Sequence, residues 1–132
     1  MSVIVRDTGF APDDLPQDWA EAPGPGVVRL HLAPGADPQA LVPHLSGLTA
    51  IRIAFPAFND GRGFTLAARL RRMGFAGRLR AQGHVLADQY AMARRAGFDE
   101  VEITPALAAR QPEDQWLARA GWQAHDHRAR LG

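Results

Sequence analysis

The sequence contains no cysteine and no lysine. Without thiols the chain cannot hold an Fe–S cluster through its own thiolates, cycle a dithiol or attack a substrate with sulfur. Without lysine it can form no Schiff base and carries no phosphate-loop lysine. All 15 basic residues are arginine, whose planar fork grips anions, although GC-rich coding alone would produce the same bias. Also missing is any apolar run approaching the ~18 residues of a membrane span. Met1–Arg6 is too short and too charged to be the apolar region of a secretion signal, so a cytoplasmic location and no membrane partner are expected. Acids and bases are interspersed and sum to +1, so the basic footprint of a nucleic-acid-binding protein is absent and no nucleic-acid partner is expected.

What is present reads as one α/β domain. With 132 residues, 46% of them hydrophobic, the chain can bury a single core. Residues 1–25, with a short apolar run at Val3–Val5 and an acidic, proline-rich stretch around Trp19, read as an N-terminal arm. Residues 26–110 form the regular part, and 111–132 a C-terminal helix and tail. Strands are predicted at Val27–Leu32, Ala50–Phe55, Gly77–Gln82 and Asp99–Thr104. Between them helices are predicted at Asp37–Leu45, opened by Asp37 as N-cap and Pro38 at the first helical position, at Phe64–Met73 and at Val85–Ala96, with a last helix at Pro112–Ala120. The spacing of Leu66, Leu70 and Met73 marks one buried helical face, and Arg69, Arg71 and Arg72 read as its solvated side. A β-α-β-α-β-α-β order with helices of this length implies right-handed crossovers and a short, mainly parallel sheet.

Strands covered on both faces should be almost continuously apolar, and these alternate instead. Val28, Leu30 and Leu32 oppose Arg29 and His31; Ile51, Ile53 and Phe55 oppose Arg52; Leu79 and Ala81 oppose Arg80 and Gln82; Val101 and Ile103 oppose Glu102 and Thr104. The expected architecture therefore places helices chiefly on one face, like half a barrel, and leaves a second face rich in Arg and His. That face is either a functional surface or one covered by the arm or a partner, with arginine stems lying over it.

Ligands of open parallel sheets collect beyond the carboxyl ends of the strands, which singles out two loops. In the first, Asn59, Asp60, Gly61, Arg62 and Gly63 join a strand end to a helix start. Two glycines, the helix N–H groups and the Arg62 fork suit an oxyanion, while the alternative is that Asp60 caps the helix and the glycines relieve a turn. The second loop carries Arg80, Gln82, Gly83, His84, Asp88 and Gln89. His84 can titrate near neutrality, and Asp60, His84 and Asp88 are the candidate proton-moving groups. With Arg52 added, Arg52, Asn59, Asp60, Gly61, Arg62, Gly63, Arg80, Gln82, Gly83 and Gln89 are the candidate anion-binding or partner-binding set. His125 and His127 bracket Asp126 in the tail, but no element fixes them and no metal site is expected. Neither dinucleotide fingerprint nor nucleophile elbow is present, and no cofactor is expected.

The run Phe55-Pro56-Ala57-Phe58-Asn59-Asp60-Gly61-Arg62-Gly63-Phe64-Thr65, followed by Leu70-Arg71, Gly74-Phe75, Gly77-Arg78-Leu79-Arg80-Ala81, Gly83, Val85-Leu86-Ala87-Asp88-Gln89 and Gly97-Phe98-Asp99, resembles an uncharacterised family of bacterial proteins described as oxidoreductases involved in sulfite reduction. The resemblance spans about residues 50–100 and implies a place in sulfite and sulfate assimilation; it brings no established catalytic residues with it. It leaves two readings, an auxiliary of assimilatory sulfite reductase that binds a small anion or the reductase itself, and a small enzyme acting on a sulfur oxyanion; the polar face of the strands adds a third, a module that forms a homodimer. The missing redox groups agree best with the first, because six-electron reduction of sulfite needs a chain of cofactors.

Overall fold

The computed structural model describes residues 2–123. His125, Asp126 and His127 lie outside the described residues. The sheet has six strands: β1 (Val3–Arg6), β2 (Gly9–Pro12), β3 (Arg29–Leu32), β4 (Ala50–Phe55), β5 (Arg78–Gly83) and β6 (Glu100–Ile103), in the spatial order β2-β1-β6-β5-β4-β3. From β3 to β6 every pairing is parallel, while β1 runs antiparallel to both β2 and β6. The helices are α1 (Arg62–Arg72), α2 (Tyr90–Ala96), α3 (Pro105–Arg110) and α4 (Glu113–Leu117).

The four parallel strands agree with the sequence pattern to within two residues at either end. Elsewhere the structure corrects it. The supposed arm, residues 1–25, includes a β-hairpin of β1 and β2 that completes the sheet, with Val3, Ile4 and Val5 opposite Ile103, Glu102 and Val101. Four-residue strands with a single apolar run carry too little periodicity to announce themselves. The helix expected after β3 is a 3₁₀ helix, Pro38–Gly47; Asp37 does cap it, accepting from the Gln39 N–H, but Pro43 within it removes an α-helical hydrogen bond. The helix expected over Val85–Ala96 starts as a 3₁₀ turn, Ala87–Gln89, before α2. In place of one last helix there are two, and α3 was missed although Thr104 and Pro105 form its cap and first turn, Thr104 Oγ1 accepting from Leu107 N.

One side of the sheet and the helices share a single apolar cluster. Leu30, Ile51, Ile53, Leu79 and Val101 come from the strands, and Leu41, Leu66, Leu70, Ala93 and Leu107 from the helical segments. The arginines of α1 split: Arg69 and Arg72 are exposed, but Arg71, expected on the solvated side, is directed inward. It donates to Gly97 O from Nε and Nη2, to Phe75 O and Gly77 O from Nη1, and to Asp99 Oδ2 from Nη2, at 2.8–3.0 Å. At the β2 edge, Phe10 N–H is taken by Glu113 of α4 at 2.8 Å and Pro12 has no N–H to offer. No described helix is long and apolar enough to cross a membrane.

Candidate functional site

The register aligns His31, Arg52, Arg80 and Glu100 across β3, β4, β5 and β6, so the polar positions of four strands meet in one row. They form a closed network rather than an open basic face. Arg80, with 1% of its side chain exposed, donates to Glu100 at 2.7 Å, to Glu102 at 2.9 Å and to Asp13 at 3.0 Å. Arg52 donates to His31 Nδ1 at 2.9 Å and to Glu102 at 3.2 Å. Arg78 and Arg6 each bridge Glu100 and Asp14. Trp19 lies over this layer, its ring centre 4.6 Å from the Arg52 guanidinium carbon and 5.8 Å from that of Arg80. The charges balance, with Arg6, Arg52, Arg78 and Arg80 facing Asp13, Asp14, Glu100 and Glu102. Of the two readings of this face, the structure shows cover by the chain's own N-terminal segment. Arg52 and Arg80 are thereby committed to internal carboxylates.

The network also sets an acid sensitivity. Burial alone would raise the Glu100 carboxyl, but hydrogen bonds from Arg78 and the charge and hydrogen bonds of Arg80 outweigh it and hold the group below its ordinary value of 4.5. Asp14 is held low chiefly by its hydrogen bonds from Arg78. Burial, then the Arg52 charge, lowers His31 below 6.5. In each case the unfolded chain binds protons more readily than the folded one, so stability is full above the unfolded values and falls with pH. The unfolding midpoint in denaturant is expected to drop slightly as pH passes below about 6.5 through His31 and steeply below about 4.5 through the carboxylates. A midpoint constant from pH 7 to pH 3.5 would contradict this network.

The first loop is built on Asp60. Its carboxylate accepts from Arg62 N at 3.2 Å, from Arg62 Nε at 3.0 Å and from Arg62 Nη2 at 2.7 Å. Hydrogen bonding within the pair lowers the Asp60 carboxyl and raises the Arg62 guanidinium. The start of α1 thus already faces a carboxylate of this chain, although the N-cap is Gly61, and Asp60, one residue earlier, takes only the Arg62 N–H of the helix's backbone donors. Asn59 and Gly61 are exposed beside it. Gly63 has a packing reason: a Cβ there would stand 2.5 Å from the Phe55 ring.

The second loop opens onto a cleft of about 260 Å³ at the carboxyl ends of β4, β5 and β6. Gln82, Gly83 and His84 line one side, Phe55, Pro56 and Phe58 another, and Thr104, Leu107 and Arg110 of the β6–α3 segment close it. Gly83 is at φ +118°, and a Cβ on it would lie 2.6 Å from Phe55 O, so only glycine lets β5 pass this close to the end of β4. His84 is fixed twice to the same carbonyl: its N–H donates to Phe55 O at 2.8 Å, and Nδ1 lies 3.2 Å away. Because a carbonyl oxygen only accepts, Nδ1 carries the proton and Nε2 is the free ring nitrogen. The Phe58 ring meets the imidazole edge-on with centroids 5.0 Å apart. Gln89 holds that loop, accepting from Leu86 N and donating to Phe58 O. Its role is local support. Asp88 points elsewhere, paired with Arg119 at 2.8 Å.

Of the sequence-derived candidates, the structure brings Gln82, Gly83 and His84 together in this cleft; Arg52 and Arg80 lie in the covered network, and Asp60 and Arg62 pair on the outside of α1. Arg110 was missed. It makes no ion pair or hydrogen bond among the described residues. The signal was there: a helix opened by Thr104 and Pro105 places Leu107 and Arg110, three apart, on one face. Among the described residues no group of three His, Cys, Asp or Glu side chains is placed to hold a metal ion.

Residues 29–127 match a family described as a bacterial protein of unknown function, DUF934. The chain belongs to this family. The match takes in the whole parallel part of the sheet, the cleft and Arg110, and leaves β1, β2 and the acidic cover of the arginine network outside it. No curated protein and no solved structure matches the chain.

Proposed function

We propose that this protein is an auxiliary of assimilatory sulfite reduction that serves the sulfite reductase by holding a small anion in the cleft beyond β4, β5 and β6. The observation that carries the reading is convergence: the Gln82 amide and the Arg110 guanidinium, donors without a partner among the described residues, line one concave site beside the His84 ring, at the end of the sheet where ligands collect. In our reading the parallel strands with their consecutive crossovers form half a barrel, and the cleft is its open mouth. The sulfite pathway comes from the resemblance of the Phe55–Thr65 and Val85–Gln89 runs.

A catalytic reading is favoured by one feature, the free Nε2 of exposed His84, which could accept or deliver a proton at the cleft. Asp60 and Asp88, the other proton-moving candidates, are tied to Arg62 and Arg119. A homodimer through the polar face would have to displace Asp13, Asp14 and Trp19.

The test is growth. A deletion strain is expected to grow normally on cysteine and slowly on sulfate or sulfite; the wild-type gene and Arg62→Ala restore growth, and Arg110→Ala does not. Normal growth of the deletion strain on sulfate overturns the pathway, and restoration by Arg110→Ala overturns the cleft.

A further inference from the structure

Taking the cleft as the ligand site, we infer that its ligand is a small aromatic monoanion rather than a bare sulfur oxyanion. Arg110 brings the only full charge to the lining, with the Gln82 amide as a neutral donor and the Thr104 hydroxyl already accepting from Leu107 N at 3.2 Å. His84 gives its Nδ1–H to Phe55 O, so that donor is already spent inside the chain. The rest of the lining is Gly83 and the carbon surfaces of Ala54, Phe55, Pro56, Phe58 and Leu107.

Sulfite and sulfate carry most of two charges and a tight shell of water. To enter they would surrender that shell against carbon walls and recover one guanidinium, a poor exchange, because an ion in an apolar surround is stabilised only by full pairing. A body of ring size reverses the balance. Its faces displace water from exposed Phe58 and Pro56, its edge meets the imidazole in the edge-to-face geometry that Phe58 already adopts with His84, and one carboxylate or sulfonate reaches the Arg110 fork. Size sets the upper bound: at about 260 Å³ the cleft lies just under the range of drug-sized sites, so it admits a single ring or a fused pair and excludes a dinucleotide or a tetrapyrrole.

The arginine network supports the assignment by elimination. Arg6, Arg52, Arg78 and Arg80 are neutralised by four carboxylates, and Arg62 by Asp60, so among these candidates none competes with Arg110 for the head group.

The experiment is an NMR titration of the full chain, following backbone amides of Phe58, Gly83 and His84 and the arginine Nε–H signals. Benzoate, benzenesulfonate, sulfite and sulfate are the probes, applied to the wild type, Arg110→Ala and Phe58→Ala. Benzoate and benzenesulfonate are expected to shift the Gly83, His84 and Phe58 amides saturably. Arg110→Ala weakens this at least about tenfold, as the loss of a charge-assisted hydrogen bond requires. Phe58→Ala weakens the aromatic probes as well. Saturable shifts from sulfite or sulfate that depend on Arg110, with none from the aromatic probes, overturn the aromatic ligand and leave the cleft in place as an anion site. Silence of the cleft amides toward all four probes overturns both.

Discussion

Arg80→Ala is expected to cost about 3–5 kcal/mol of folding stability, the range for removing one partner from a buried ion pair. The arginine is 1% exposed and meets Glu100 and Glu102, whose side chains are 3% and 6% exposed. Without it those carboxylates stay buried, with Arg6, Arg78 and Arg52 at the margin of the layer as their remaining cations and the Ser2 hydroxyl on Glu102. Arg80→Met fills more of the space but leaves the same charges unpaired, so it should recover little. Combining Arg80→Met with Glu100→Gln should recover more than the single substitutions predict, because it removes a charge of each sign together. Urea unfolding at pH 7 reads all three. A loss below about 1 kcal/mol for Arg80→Ala would mean that water reaches the carboxylates and that the layer is not sealed.

Arg71→Ala should follow at about 3 kcal/mol, for a different reason. Arg71 is 25% exposed, and its partners include three backbone carbonyls, Phe75 O, Gly77 O and Gly97 O, besides Asp99. Phe75 and Gly77 belong to the connection from α1 to β5 and Gly97 to the one from α2 to β6, so one guanidinium joins two chain reversals at the amino ends of the strands. Arg71→Lys supplies a charge without the fork and should recover less than half of the loss. Thermal unfolding of both variants checks this, and equal melting temperatures for the lysine variant and the wild type would show that charge alone suffices.

The parallel strands were legible because each alternates cleanly: Leu30 and Leu32, Ile51 and Ile53, Leu79 and Ala81, and Val101 and Ile103 face the core. The polar positions between them were legible as a set, but their chemistry was not. Nothing local in Asp13, Asp14 or Trp19 says that they fold back over Arg78, Arg80 and Arg52, up to 67 residues away in the chain. A basic stripe reads the same whether it faces solvent or buried carboxylates, since burial is a property of the assembled sheet. The two loops were likewise separable only in three dimensions. Asp60 and Arg62, two residues apart, could have presented an anion site; a mutual ion pair closed it. His84 needed Arg110 to become part of a site, and Arg110 sits on a helix too short to show a period.

The placement of β1 orders the events of folding. Its partner β6 lies far along the chain, Ser2 Oγ reaching Glu102 across 100 residues. Contacts of that span carry the largest loop-closure cost and form after the neighbouring βαβ units have condensed. Until then Arg52, Arg78 and Arg80 on β4 and β5 have Glu100 and Glu102 beside them but not their acidic lid, three cations to two carboxylates. Docking of the hairpin brings Asp13 and Asp14 to the arginines, so the last pairings to close are also the ones that balance the charge.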